Sequence, residues 1–167
     1  MTTFTKNSTQ YANRLVTTPP VHTYGLSAGL KMMPFDCAAF NATQPVTIGL
    51  AILPPYSTLY MLSSAVWFAA ATATMTLDIG YDAYKDADGV TVAADDDAFL
   101  NDLLMTTDAT WFGGALITAA AIAQSLPIVN TRVFNNRESV VLYATLKVAN
   151  PGADDTLNGY FAYATTS

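Results

Sequence analysis

The sequence VTIGLAI at residues 46–52 alternates apolar side chains with small or polar ones. Apolar residues recur at every second position from Val46 to Ile52, which is the period of a strand with one buried face. Pro54 and Pro55 follow, and because proline has no backbone N–H to donate, the strand is expected to end there. This stretch therefore predicts a half-buried β-strand.

Two further strands are expected directly after it. Residues 59–68 read LYMLSSAVWF, with apolar side chains on both faces, and residues 72–81 read TATMTLDIGY, with a clean alternation. No charge occurs between Cys37 and Leu77, and 59–77 is about long enough to cross a membrane. Five Ser and Thr residues interrupt that stretch and no cation flanks it, so two buried strands are the better interpretation.

Strand patterns return near the end of the sequence. Residues 140–148 alternate, Asn150-Pro151-Gly152 is typical of a turn, and residues 157–163 alternate again. We expect these last two strands to pair with each other as a hairpin.

A short helix of two to three turns is predicted around residues 99–104. Phe99, Leu100, Leu103 and Leu104 recur at helical spacing, and the preceding run Asp95-Asp96-Asp97 offers carboxylates that accept hydrogen bonds from a helix start. Together these elements predict a mostly β protein: an antiparallel β-sandwich or jelly roll with one short helix.

The first 44 residues lack a sustained period. They contain Pro19-Pro20, which favours extended backbone, and scattered apolar residues. We therefore expect an extended N-terminal arm or loop-rich segment at 1–44 and a β-sandwich domain at 45–167.

The composition excludes several functions. The chain has 167 residues, is 51% hydrophobic and only 12% charged, with a net charge of −6. Its seven Lys and Arg residues are scattered rather than grouped, so neither nucleic acid nor an anionic membrane surface is an expected partner. So little charge favours a subunit of a larger assembly over a free monomer, since charged surfaces keep monomers apart.

Motifs for catalysis or metal binding are weak. Gly25-Leu26-Ser27-Ala28-Gly29 has the spacing of a hydrolase nucleophile elbow, but the only His in the sequence, His22, precedes it, and no strand–helix frame surrounds it. Cys37 and His22 together cannot supply four zinc ligands, so Cys37 is interpreted as a small buried residue. We expect no enzyme activity, no metal and no cofactor. The acidic stretch Asp82–Asp97 does not match an EF-hand and is interpreted as a solvated turn, although an irregular calcium site there stays open.

The order of these elements resembles small virion structural proteins of tailed bacteriophages, most of all capsid decoration (cement) proteins. The resemblance covers residues 46–165: a Leu53-Pro-Pro-x-x-x-Leu59 turn enters a strand, a strand ending at Gly80 follows, then an acidic segment, and a final strand ends GYFAY at 159–163. It implies a sandwich without catalytic residues that binds the outer capsid surface and bridges major capsid subunits. It further implies a homo-oligomer, with a trimer favoured, made in the host cytoplasm and located on the virion.

The partner-binding residues are expected in the N-terminal arm: Phe4, Tyr11, Arg14 and Tyr24. An ordered extended arm adds a strand to a neighbour's sheet, and aromatic side chains anchor such contacts. Two alternatives remain from the sequence: another virion component (tail, connector or fibre base), or a glycan-binding β-sandwich, since exposed aromatic residues also bind sugars.

Overall fold

The computed structural model describes residues 4–9, 11–12, 24–25, 29–38, 45–69, 75–105, 110–112, 131–134, 136–152 and 154–165. Nearly all of them lie in strands or in the tight connections between strands. The strands are β1 (Lys6–Asn7), β2 (Tyr24–Gly25), β3 (Lys31–Ala38), β4 (Val46–Leu53), β5 (Ser57–Ala69), β6 (Met75–Tyr81), β7 (Tyr84–Lys85), β8 (Thr91–Val92), β9 (Asp95–Met105), β10 (Thr110–Phe112), β11 (Thr131–Val133), β12 (Val140–Lys147) and β13 (Thr156–Thr165).

Two sheets form a sandwich. The first has the strand order β1-β4-β12-β6-β9, and the second has the order β10-β5-β13-β3-β2, with β11 also paired to β5. The long pairs are nested: β3 pairs with β13, β4 with β12, β5 with β10 and β11, and β6 with β9, all antiparallel. The predicted mostly β sandwich is therefore confirmed, whereas its jelly-roll form stays a prediction.

The core lies between the two sheets. Along β12 the inward residues are fully buried, as the alternating sequence predicts. In β4 a bulge at Leu50 moves the buried face to Ala51 and Leu53, so Ile52, expected inside, is only partly buried. Phe35 of β3 stacks on Phe161 of β13 with ring centroids 5.0 Å apart. Each large apolar side chain buried in this way contributes roughly 1.5–3 kcal/mol. An aromatic cluster formed by Tyr81, Tyr84, Phe99 and Phe134 packs at one end of the core.

The predicted helix over 99–104 is wrong, because these residues belong to strand β9. Between its pairings with Tyr81 and Ile79, β9 advances five residues while β6 advances two; before Leu77 it advances three against two. Such bulges add residues to one strand and break the period of two, so the buried residues recur at helix-like spacing. Asp102, at φ 48°, lies in the second bulge, where its backbone N–H donates to the Asp78 carboxylate at 2.6 Å.

The expected C-terminal hairpin is also wrong. β12 is an inner strand of the first sheet, flanked by β4 and β6, while β13 is an inner strand of the second, between β5 and β3. The chain therefore crosses from one sheet to the other between β12 and β13. Both edges of β12 are already occupied, which leaves no place for β13 beside it.

The proposed arm at 1–44 contains a core strand. Residues 31–38 form β3, whose Met33, Phe35 and Cys37 are buried in the sandwich, so this part of the chain belongs to the domain. Much of the remainder, including 13–23 and 39–44, lies outside the described residues, and an arm there stays a prediction. Among the described residues, no helix is long and apolar enough to cross a membrane.

Candidate assembly interfaces

Of the four predicted partner-binding residues, Phe4 and Tyr11 are described with their side chains. Tyr11 is 3% exposed and Phe4 is half-buried, and both pack on their own chain. Tyr24 lies on the edge strand β2, in register with Met32 of β3. Arg14 lies outside the described residues.

Residues 4–9, 11 and 12 form what we call the seam segment, because they run between the edges of the two sheets. On one side the segment pairs in parallel with β4: the Thr5 N–H donates to the Thr47 carbonyl at 2.7 Å, and the Ser8 N–H to the Gly49 carbonyl at 2.8 Å. The Ser8 hydroxyl also donates to the Leu50 carbonyl at 2.6 Å. Ser8 is fully buried, so these bonds lie out of water, where a lost partner costs most.

On its other side the segment contacts β3 of the second sheet. The Thr9 hydroxyl donates to the Asp36 carboxylate at 2.9 Å, and the Cys37 thiol lies 3.8 Å from the Asn7 carbonyl, to which it donates. Burial raises the pKa of Cys37 to about 11, so the thiol stays protonated at neutral pH. The prediction that Cys37 is a small buried residue is confirmed. Its thiol lies beneath the seam segment.

An aromatic group fixes the segment on the outer face of the first sheet. The Phe4 ring lies 5.4 Å from the Tyr11 ring and 5.6 Å from the Tyr143 ring of β12. Gly49 lies directly beneath Tyr11: a Cβ there would come within 3.0–3.1 Å of two ring carbons. Burial, and then the charge of Asp82, raise the pKa of Tyr11, which keeps its hydroxyl neutral.

A second candidate surface lies at one end of the sandwich, which we call the loop end: residues 54–57, 84–92, 134 and 136–139. Its organiser is Asn136, which is 0% exposed. The Asn136 amide oxygen accepts from the Ser57 N–H at 3.1 Å, and the amide nitrogen donates to the carbonyls of Pro54 and Glu138. The Asn136 backbone carbonyl accepts from the Tyr56 N–H at 3.0 Å. Four hydrogen bonds from one buried residue thus hold the turn.

The loop end presents two apolar side chains to solvent. Tyr56 is 44% exposed and adopts φ 55°, a left-handed conformation that costs an ordinary residue roughly 1–2 kcal/mol. Val90 is 62% exposed in the β7–β8 hairpin, where the Asp86 carboxylate accepts from the Asp88 and Val90 N–H groups. The Asp86 backbone bridges to Asn136, so both tips are fixed to the same support.

Tyr56 and Asn136 were not singled out from the sequence. The only local signal is the turn sequence Pro54-Pro55-Tyr56, which separates β4 from β5. Nothing local shows that residue 136 reaches back about 80 positions along the chain.

A charged cluster lies on the outer face of the first sheet at the β6–β12–β9 junction. Lys147 forms an ion pair with Asp78, which is 0% exposed, and lies 4.0 Å from the carboxylates of Asp96 and Asp102. The hydrogen bond with Asp78 raises the pKa of Lys147, and the two outer carboxylates add to this, against the opposing effect of burial. A lysine held protonated is a structural cation rather than a nucleophile.

The structure does not add support for calcium binding by the acidic stretch. Among the residues that the structure describes, only Asp95, Asp96 and Asp97 bring carboxylate oxygens within 4.8 Å of one another. Asp82 and Asp86 instead accept hydrogen bonds from backbone N–H groups of their own loops. An exposed acidic cluster alone does not define a metal site, and the predicted absence of metal and cofactor stays a prediction. His22 and Ser27 of the elbow-like motif lie outside the described residues.

No protein-family model and no curated protein matches this chain. Among solved structures, one of infectious bursal disease virus Gt strain matches with a TM-score of 0.46 and 14% identity over 90% of this chain and 35% of the other. The infectious bursal disease virus VP2 subviral particle matches with a TM-score of 0.44 and 17% identity over 90% and 36%. The chain thus spans about a third of the length of these solved chains. With TM-scores below 0.5, the likeness carries no argument about function.

Proposed function

We propose that this chain is a non-enzymatic virion structural protein that binds the outer surface of a phage capsid and bridges major capsid subunits. The observation that carries the proposal is the loop end, where buried Asn136 holds exposed Tyr56 in a strained backbone conformation. A strained, exposed aromatic residue on a rigid support is a feature of binding sites, because its order is established before the partner arrives.

The charge distribution supports a protein partner. With 12% charged residues, the chain has little charge to repel neighbouring subunits, and exposed Lys85, Arg137 and Glu138 form a mixed-sign rim near the two apolar tips. An apolar centre with a polar rim is the usual anatomy of a protein–protein interface. Jelly rolls are frequent among shell-forming and lectin domains, and this is an analogy of fold that leaves the site to be tested.

The test compares two glycine substitutions. Tyr56→Gly removes the aromatic anchor and relieves the left-handed strain, so stability is retained while binding is lost. Val148→Gly is the matched control: Val148 is also apolar, 67% exposed and left-handed at φ 76°. It follows the opposite end of β12, because Val140 pairs with Leu53 while Leu146 pairs with Val46.

The binding partner in this experiment is the shell formed by the major capsid protein encoded in the same genome. We expect wild type and Val148→Gly to co-sediment with shells at a saturating ratio, and Tyr56→Gly to lose at least tenfold in apparent affinity. Failure of the wild type to bind shells would overturn the capsid role. Equal binding by all three proteins would overturn the assignment of the loop end.

The mass of the purified protein tests the oligomer. We propose a trimer, since decoration of threefold lattice sites requires threefold partners, and light scattering measures it directly.

A further inference from the structure

The seam segment docks on a site, which we call the seat, that is formed by other parts of the chain and does not depend on the segment. The seat consists of the outer edge of β4 and of Asp36 and Cys37 in β3. β4 is bound along its whole length to β12, and β3 along its whole length to β13. Removing the segment therefore leaves both strands in their sheets and the seat intact.

The contacts in the seat depend on the sequence of the segment. They do not depend on whether the segment comes from the same chain or from a second copy. They comprise backbone bonds at Thr5 and Ser8, side-chain bonds at Ser8 and Thr9, and the Tyr11 ring over Gly49. None of them uses the covalent connection onward to β2. A segment from a second copy reproduces each bond, which is the condition for exchange at low cost.

The length of the connection permits exchange. Eleven residues, 13–23, join Ala12 to Tyr24, and a chain of that length spans at most roughly 40 Å. Thr9 contacts Asp36, whereas Tyr24 pairs with Met32 of the same strand, four residues away. Four residues of strand measure roughly 13 Å. The connection is thus more than twice as long as docking on its own seat requires.

We propose that the seam segment is exchanged between copies of this chain, so that residues 4–9, 11 and 12 of one subunit occupy the β3–β4 seat of another in the assembled protein. This goes beyond the capsid role and does not depend on it. Identical bonds form whether the segment docks on its own chain or on a second copy. The effective concentration of the segment at each seat therefore decides which arrangement forms, and subunits held side by side raise the effective concentration at the neighbour's seat. The segment is then the device that links subunits.

The experiment traps the contact between Thr9 and Asp36, whose side-chain oxygens are 2.9 Å apart. In a Cys37→Ala background, which removes the only native thiol, subunits with Thr9→Cys are co-expressed with longer, tagged subunits with Asp36→Cys. After mild oxidation, non-reducing electrophoresis reveals a heterodimer only when the segment of one copy reaches the seat of another. A chain with both cysteines shows whether the seat is also filled within one molecule.

We expect the mixed pair to form a heterodimer in roughly a quarter to a half of the subunits, half being the limit for random mixing of two variants, and each variant alone to form less than a tenth as much. Adding Gly49→Val to the Asp36→Cys subunit, which fills the space under Tyr11, should reduce the heterodimer at least fivefold. An intrachain disulfide in the double-cysteine chain without any heterodimer would overturn the proposal. The absence of both products would overturn it as well, because the seat would not hold the segment at all. Shell binding, measured separately, tests the capsid role independently.

Discussion

Replacing Asn136 with alanine tests the support of the loop end. The substitution removes three side-chain hydrogen bonds at a residue that is 0% exposed. The Ser57 N–H, also in a fully buried residue, loses its acceptor, which costs about 1–3 kcal/mol. The bonds to the carbonyls of Pro54 and Glu138 are worth roughly 0.5–1.5 kcal/mol each, and water replaces part of this because both residues reach the surface.

The expected loss from Asn136→Ala is about 3 kcal/mol in the free energy of unfolding, or roughly 6–12 °C in Tm for a chain of this size. Urea unfolding followed by tryptophan fluorescence measures it. Glu138→Ala is the control, since its exposed side chain lies in the same loop and its removal should cost no more than about 0.5 kcal/mol. The reasoning is refuted if the two variants are equally stable, or if Asn136→Ala binds shells as tightly as the wild type.

Four further outcomes are expected. Gly80→Ala should unfold or strongly destabilise the protein by thermal melt, since a Cβ there would overlap the β9 backbone. Lys147→Met should cost about 1–3 kcal/mol in urea unfolding, less than a fully buried pair because Lys147 is 37% exposed, and the double variant Asp78→Asn/Lys147→Met should recover part of it. Because the hydrogen bond with Asp78 raises the pKa of Lys147 above its usual value of 10.5, the contribution of Lys147 is complete below pH 10.5; the stability gap between wild type and Lys147→Met should shrink as the pH rises through the folded-state pKa. Labelling of Cys37 by a maleimide at pH 7.5 should be slow and should accelerate at least tenfold in Tyr11→Ala, because the seam segment covers the thiol.

Local period predicted strands well where pairing was regular. β12 follows the alternation of apolar residues throughout, β4 follows it up to the bulge at Leu50, and the prolines after Leu53 end β4 as expected. β9 was mistaken for a helix because its bulges move Phe99, Leu100 and Leu103 out of the period of two. A bulge is specified by the partner strand, here by the Asp78 carboxylate bonded to Asp102, and one strand's sequence does not contain that information.

Long-range partners limited the prediction of sites in the same way. The turn holding Tyr56 was visible as two prolines, but its support comes from Asn136, and the match between the two exists only in three dimensions. The sequence predicts that Phe4 and Tyr11 bind a partner, and that role stays a prediction, because the structure shows their rings packed on the chain's own residues. Their docking site on the chain's own first sheet depends on the absence of a side chain at Gly49, which a strand pattern treats as a weakness.

The two candidate interfaces are separate enough to be tested one at a time. The seam lies along β4 between Thr47 and Leu50, whereas Tyr56 lies beyond the end of that strand, about six residues or roughly 20 Å from Leu50 along the chain. Substitutions at that separation, with no shared hydrogen-bond partner, should have additive effects on stability. Additive stability combined with a cooperative loss of shell binding would therefore mean that the two surfaces act together only in the assembly. That result would be expected if the exchanged segment orients neighbouring loop ends toward one shell.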